Sequence, residues 1–210
     1  MTTTRFLALA GLLGALTMFT GDMLFYGGWG SGADLLANLP SQVAARSPNQ
    51  LMAGGLLAIP AGLGFLGGAV HVYGRVSPGW RIAVTAPLLA LFVAAIATHA
   101  IWGAFAIALA TGSHALSAVV GRYLDLCFLV ATVLAVPAAL SLLIACVLGR
   151  TTWPRWMSLA NPTLLYLVLQ GARWLPAPLG APLLGGAFNL AFALFFTLSL
   201  ATSQERPAKA

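Results

Sequence analysis

Apolar residues run along this chain in long unbroken stretches, without the two-residue alternation of a half-buried strand or the one-sided period of a soluble helix. The first stretch runs from Phe6 to about Tyr26, behind Arg5, and others cover Leu51 to Tyr73, Ile82 to Ala110, Leu116 to Leu148, Met157 to Trp174 and Pro182 to Ala201. Each nears or exceeds the ~20 residues that carry a helix across hydrocarbon, so the pattern predicts an all-α integral membrane bundle of six transmembrane helices. The first stretch is longer than a signal-peptide core and no small-x-small cleavage site follows it, which predicts an uncleaved span. The third and fourth are longer than a bilayer requires and are expected to tilt or to project beyond it. Pro60, Pro137 and Pro162 fall inside spans, where neighbouring helices can satisfy the carbonyl that each proline frees. Residues 1–210 read as a single membrane domain, with 31–50 an outer loop and 203–210 a short cytoplasmic tail.

Composition narrows the class further. Of the 210 residues 60% are apolar and 7% charged, proportions that exclude a water-soluble globule. A formal charge of +6 could suit nucleic acid, but the ten Lys and Arg stand singly between apolar runs and form no basic face. They read as orienting charges, and the expected partners are membrane lipids. With six spans, Arg5, Arg75, Arg81, Arg150, Arg155, Arg206 and Lys209 share one side, and Arg46, Arg122 and Arg173 the other. Seven positives against three place both termini in the cytoplasm and predict a multi-pass protein of the cell membrane. Tyr26, Trp29 and Trp174 at one set of ends, with Tyr73, Trp80, Trp153 and Trp156 at the other, suit two aromatic belts.

Within the outer loop, Leu35, Leu36, Leu39 and Val43 are mixed with Asp34, Asn38, Gln42 and Arg46. That fits either short interfacial helices broken at Pro40 or an ordinary linker. Ser47-Pro48 has the chemistry of a cap followed by a first-turn proline. In the second span Pro60, Gly64, Gly67, Gly68 and His71 fall on one helical face, a small-residue seam that lets another helix approach closely within the bundle. No oligomeric state follows from it.

An ionisable side chain inside a span is costly, so it normally faces a cavity or a partner. Counted from the hairpin near Ser113, His99 lies 14 residues down the third helix and Asp125 lies 12 down the fourth, a mismatch of only ~3 Å at helical rise. These two are expected to pair. His114, Ser117, Gly121 and Asp125 share a stripe with Arg122 at its margin, while Asp22, Gln170 and Asn189 lie in the same outer half. The expected polar pocket is therefore built from Asp22, His99, Arg122, Asp125, Gln170 and Asn189, with Arg46, His114 and Arg173 at its rim. The bland alternative is a set of interhelical hydrogen bonds that only holds the bundle together.

Other chemistry is thinly supported. His71, near a helix end among glycines, reads as a hydrogen-bonded packing residue, and Asn161-Pro162 as an irregular helix start. Cys127 and Cys146 lie ~28 Å apart along one helix and cannot bridge. His71 and His99 differ in depth by ~21 Å, which excludes a haem between them. A zinc site could draw on His99, His114, Asp22 and Asp125, though the two histidines lie at different depths. No Walker loop, nucleophile elbow, Cys-x-x-Cys or metalloprotease histidine pair occurs, so neither metal nor cofactor is expected.

Three strings, Gly21-Asp22-Met23-Leu24-Phe25-Tyr26, His71-Val72-Tyr73 and His99-Ala100, resemble an uncharacterised family of bacterial polytopic membrane proteins, a domain of unknown function. The resemblance covers most of the chain; it implies six spans and supplies no activity. The seven-span ceramidase and progestin-receptor-like hydrolases also use intramembrane Asp and His. This chain has one span fewer and departs from their paired-histidine pattern, which puts a catalytic zinc in doubt. The favoured function is an outward-facing intramembrane pocket that binds or transports a small amphiphile, a lipid headgroup or a proton. A second is an intramembrane enzyme acting on a lipid-like substrate, with His99 and Asp125 as acid-base pair and Arg122 or Arg173 on an anionic headgroup. A third is a packing or scaffold protein without ligand.

Overall fold

The structure is a computed structural model that describes residues 3–26, 28 and 30–202; Trp29, Arg206, Lys209 and the expected tail 203–210 lie outside the described residues. Among the described residues the chain is all-helical, with α1 Thr3–Tyr26, α2 Gly32–Ala44, α3 Pro48–Leu56, α4 Ala58–Arg75, α5 Arg81–Ala110, α6 His114–Val147, α7 Pro162–Leu169, α8 Gly180–Gly185 and α9 Ala187–Ala201. Four segments, Thr3–Tyr26, Pro48–Arg75, Pro78–Ala110 and His114–Val147, are long and apolar enough to cross a membrane. The 30-residue α5 and 34-residue α6 have the expected excess length, and Pro87 and Pro137 lie inside them without ending them.

The fifth and sixth apolar runs form no comparable continuous helix, each being divided into shorter pieces. The fifth divides into a 3-10 turn at Arg155–Ser158, α7, and a 3-10 segment at Gln170–Trp174. Asn161 is the reason for the restart: its side chain caps α7 by accepting from the Thr163 amide at 3.0 Å, and Pro162 takes the first helical position, where a missing N–H costs nothing. The sixth divides at Gly186 into α8 and α9, where the Phe19 ring of α1 lies against Gly186 and occupies the space of any side chain there. The second run is also interrupted, at Leu57, one turn before Pro60, whose absent N–H cannot continue the ladder.

Two local expectations for the outer loop have different outcomes. Ser47 does cap α3, accepting from the Gln50 amide at 3.3 Å with Pro48 at the first position. The segment 31–50, however, carries one 13-residue helix that runs through Pro40. Pro40 and Leu36 are both exposed, so the carbonyl left without a donor is not sealed in a core. Ser31 fixes the start of α2 by accepting from the Asp34 amide and donating to its carboxylate at 2.6 Å.

The core forms around α1. Gly14 of α1 and Gly64 of α4 meet backbone to backbone, a Cβ on Gly14 falling 2.8 Å from the Ala61 carbonyl oxygen. Gly67 faces Ala10, and Gly11 and Gly68 together accommodate the Phe196 ring of α9. The small-residue seam thus does what its composition suggests, with Pro60 as the exception because it points outward. Phe65, Phe92, Phe192 and Phe196 fill the centre. At the end opposite the α5–α6 hairpin, Ser77 N–H donates to the Arg150 carbonyl and Thr152 N–H to the Arg75 carbonyl, each at 2.8 Å, so two loops of the expected cytoplasmic side lie together. Trp153, expected in an aromatic belt, is instead buried at 3% exposure. Helix α6 is peripheral: Leu124, Ala138, Leu142, Ala145 and Cys146 are buried, while Leu126, Leu129, Val133, Leu140 and Val147 are exposed, a surface that hydrocarbon solvates and water does not.

Candidate functional site

The last carbonyls of α1 have no partners within the helix and must find them elsewhere. Gln50 donates to the Leu24 carbonyl at 2.9 Å, and the Arg46 guanidinium donates to the Tyr26 carbonyl at 3.2 Å. A cation at a helix C-terminus is also favoured by the helix dipole. The residue expected on a pocket rim is therefore a cap that holds the end of α1 and the start of α3 together.

One turn below this cap, α1 carries Gly21 and Asp22 side by side. Gly21 leaves room for an incoming ring, since a Cβ there would lie 2.6 Å from His99 Nε2 and 2.9 Å from the Gly54 carbonyl oxygen. His99 of α5 enters that space. Its Nε2 meets the Gly54 carbonyl at 3.0 Å and its Nδ1 lies 3.4 Å from Asp22 Oδ1. The other carboxylate oxygen accepts from Asn189 Nδ2 of α9 at 2.7 Å. All three side chains are buried, Asp22 and His99 at 7% exposure and Asn189 at 4%. Asp22 thus finds partners on two other helices, as its isolation on α1 requires.

The donors and acceptors determine the proton content of this cluster. A carbonyl oxygen can only accept, so His99 Nε2 carries a hydrogen. The Nδ1–Oδ1 contact is then attractive only if one further proton lies on it, on the ring as imidazolium or on the carboxyl as acid. In either form the Asp22–His99 pair has no net charge, which is what a buried pair in an apolar bundle requires.

The cluster lies on the wall of a cavity of about 510 Å³, within the size range of sites that enclose one small molecule. Met18 and Tyr26 of α1, Leu35 and Leu39 of α2, Thr98 and Trp102 of α5, Phe128 and Thr132 of α6, Tyr166 of α7, Gln170, and Phe188 and Phe192 of α9 line it with the triad. Asn189 Oδ1 and Trp102 Nε1 are buried without a hydrogen-bond partner among the described residues. A purely apolar groove of about 240 Å³ runs between α6 and α7 and shares Val136 and Thr163 with the cavity wall.

Of the residues expected in the pocket, Asp22, His99, Asn189 and Gln170 line this cavity, whereas Arg122 and Asp125 do not. The expected His99–Asp125 pair is not formed: both ring nitrogens of His99 are engaged elsewhere, and Asp125 is exposed. A matched residue count along two helices does not by itself bring two side chains together. Asp125 is on the stripe of Phe128 and Thr132, one turn beyond them toward the hairpin. His114 and Arg173 are exposed, and Arg173 donates to the Gln170 carbonyl at 3.1 Å. Of the four residues considered for zinc, only Asp22 and His99 meet, and no group of three or more His, Cys, Asp or Glu side chains among the described residues is arranged to hold a metal. Sequence reasoning missed Trp102 and Tyr166; Trp102 could have been found, three residues from His99 on the same face.

A second buried polar cluster lies at the other end of the bundle. His71 Nδ1 donates to the Thr4 carbonyl at 3.0 Å, Nε2 meets the Ser199 hydroxyl at 2.6 Å, and Trp153 Nε1 donates to the same hydroxyl at 2.9 Å. His71 and Ser199 are no more than 1% exposed and neither lines the cavity. A histidine so enclosed ties α1, α4 and α9 together, as the packing reading of His71 anticipated. No protein-family model, curated protein or solved structure matches the chain.

Proposed function

We propose that this chain is a six-span protein of the cell membrane, with both termini cytoplasmic, whose outer-half cavity binds a small amphiphile. The observation that carries this is the Asp22–His99–Asn189 cluster on the wall of a cavity that is otherwise mostly apolar and aromatic. Such a wall offers an apolar tail a dry surface and a polar head a few fixed partners. The span count and orientation are supported by the seven-to-three distribution of positive charges and by the adjacency of the loops around Arg75 and Arg150. The family resemblance implies the same six spans.

The acid-base alternative draws less support. A general base needs a free nitrogen within reach of its substrate, and the Gly54 carbonyl and Asp22 occupy both nitrogens of His99. The decisive experiment is thermal unfolding of the purified protein in lipid nanodiscs against a panel of charged and uncharged single-chain amphiphiles. A saturable rise in unfolding temperature is expected for the wild type. The rise should vanish in Ala135→Trp, which fills the cavity from α6 without touching the polar cluster. If no amphiphile shifts the wild-type transition, the cluster is a packing device and the binding function is refuted.

A further inference from the structure

We infer that the cavity exchanges one proton for the headgroup of a lipophilic cation. The inference rests on the cavity being an amphiphile site and adds the charge of its ligand and the fate of a proton. Among the described residues Asp22 is the one carboxylate on the wall, and no Lys or Arg lines it. Arg46 is committed to the Tyr26 carbonyl and Arg173 to Gln170, so an anionic headgroup would meet a carboxylate with no cation to receive it. A cation meets the opposite situation. Besides Asp22 it finds Tyr26, Trp102 and Tyr166 on the wall, aromatic rings whose faces attract positive charge. Its tail meets apolar surface on that side as well, since the groove between α6 and α7 shares Val136 and Thr163 with the cavity wall.

The proton follows from the cluster's hydrogen bonds. In the proposed free site the His99–Asp22 pair, its Nδ1 and Oδ1 3.4 Å apart, holds one shared proton, and His99 Nε2–H remains on the Gly54 carbonyl. When a cation takes the carboxylate, the imidazolium and the ligand would place two positive charges beside one negative charge in a dry site. Release of the shared proton to water leaves neutral imidazole, carboxylate and bound cation. The net charge is zero before and after, and the one bond broken is that to the shared proton, N–H in the imidazolium form or O–H in the acid form. The groups around the pair are Tyr26 on α1, Thr98 on α5, Tyr166 on α7, Gln170, and Asn189 on α9; none is a cation, and α6 adds no titratable side chain to this wall.

The test is isothermal titration calorimetry of the full chain in nanodiscs of uncharged lipid, in two buffers of different ionisation enthalpy. The probe is octyltrimethylammonium, which has a fixed charge and no exchangeable proton, with octanol as its neutral counterpart. The expected result is release of about one proton per cation bound, with affinity rising about tenfold per pH unit while the free site is protonated. Asp22→Asn should abolish cation binding. Cation binding by the wild type with no proton release, or with pH-independent affinity, overturns the proposal, and neither measurement needs a variant to fold. Binding of octanol but not the cation also overturns it, while leaving the amphiphile site standing. Binding of neither probe or panel compound overturns both.

Discussion

Substituting Gly21 by alanine sets two physical effects against each other. Helix propensity favours alanine in the interior of α1 by at most ~1 kcal/mol. Packing opposes it, because the new methyl would lie 2.6 Å from His99 Nε2 and 2.9 Å from the Gly54 carbonyl oxygen. The imidazole must leave the Gly54 carbonyl, which leaves a buried polar group unsatisfied at a cost of roughly 1–3 kcal/mol, with overpacking adding roughly 1–3 kcal/mol. The net expectation is destabilisation by about 1–5 kcal/mol. Gly74→Ala is the control: it has the same chemistry near the end of α4, at a position where a Cβ meets nothing within 4 Å. It should be neutral or stabilising by up to ~1 kcal/mol. Reversible unfolding in mixed micelles, followed by circular dichroism, measures both. A Gly21→Ala variant as stable as wild type would refute the placement of His99 against α1.

The corrected pairing predicts a contrast between Asp125 and His99. Asp125→Asn should change stability by no more than ~0.5 kcal/mol, as an exposed substitution, whereas His99→Gln should cost about 2 kcal/mol or more; equal effects in the same unfolding assay would argue for the His99–Asp125 contact instead. Ser199→Ala takes a shared partner from His71 and Trp153, and a loss of about 2–4 kcal/mol is expected in thermal unfolding; an unchanged transition would show that the two rings find other partners. Topology is checked by reporter fusions, expected to read outside at Ser41 and cytoplasm after Arg206; a cytoplasmic signal at Ser41 would end the six-span arrangement.

The sequence by itself determined that the chain is helical and apolar and where α1, α5 and α6 run. Those properties are local or one-dimensional: run length, a capping pair such as Ser47-Pro48, and a count along a helix at fixed rise. Even the glycine seam of α4 was legible, because a row of residues without side chains can serve few purposes besides close approach. The breaks at Asn161-Pro162 and Gly186 were less so, since each lies inside an apolar run whose hydropathy is unaffected by a restart of the helix. Only the tertiary structure decided who meets whom. Asp22 and His99 are 77 residues apart, and Asp22 and Asn189 are 167. Their contacts depend on the rotation of three helices about their own axes, which packing sets and depth does not. Asp125 matched His99 in a count along the helices, yet α6 buries Leu124 and leaves Asp125 exposed and off the cavity wall. Arg46 illustrates the same limit: in the sequence it is an isolated loop cation, and it becomes a cap only once the fold brings the unpaired carbonyl of Tyr26 within its reach.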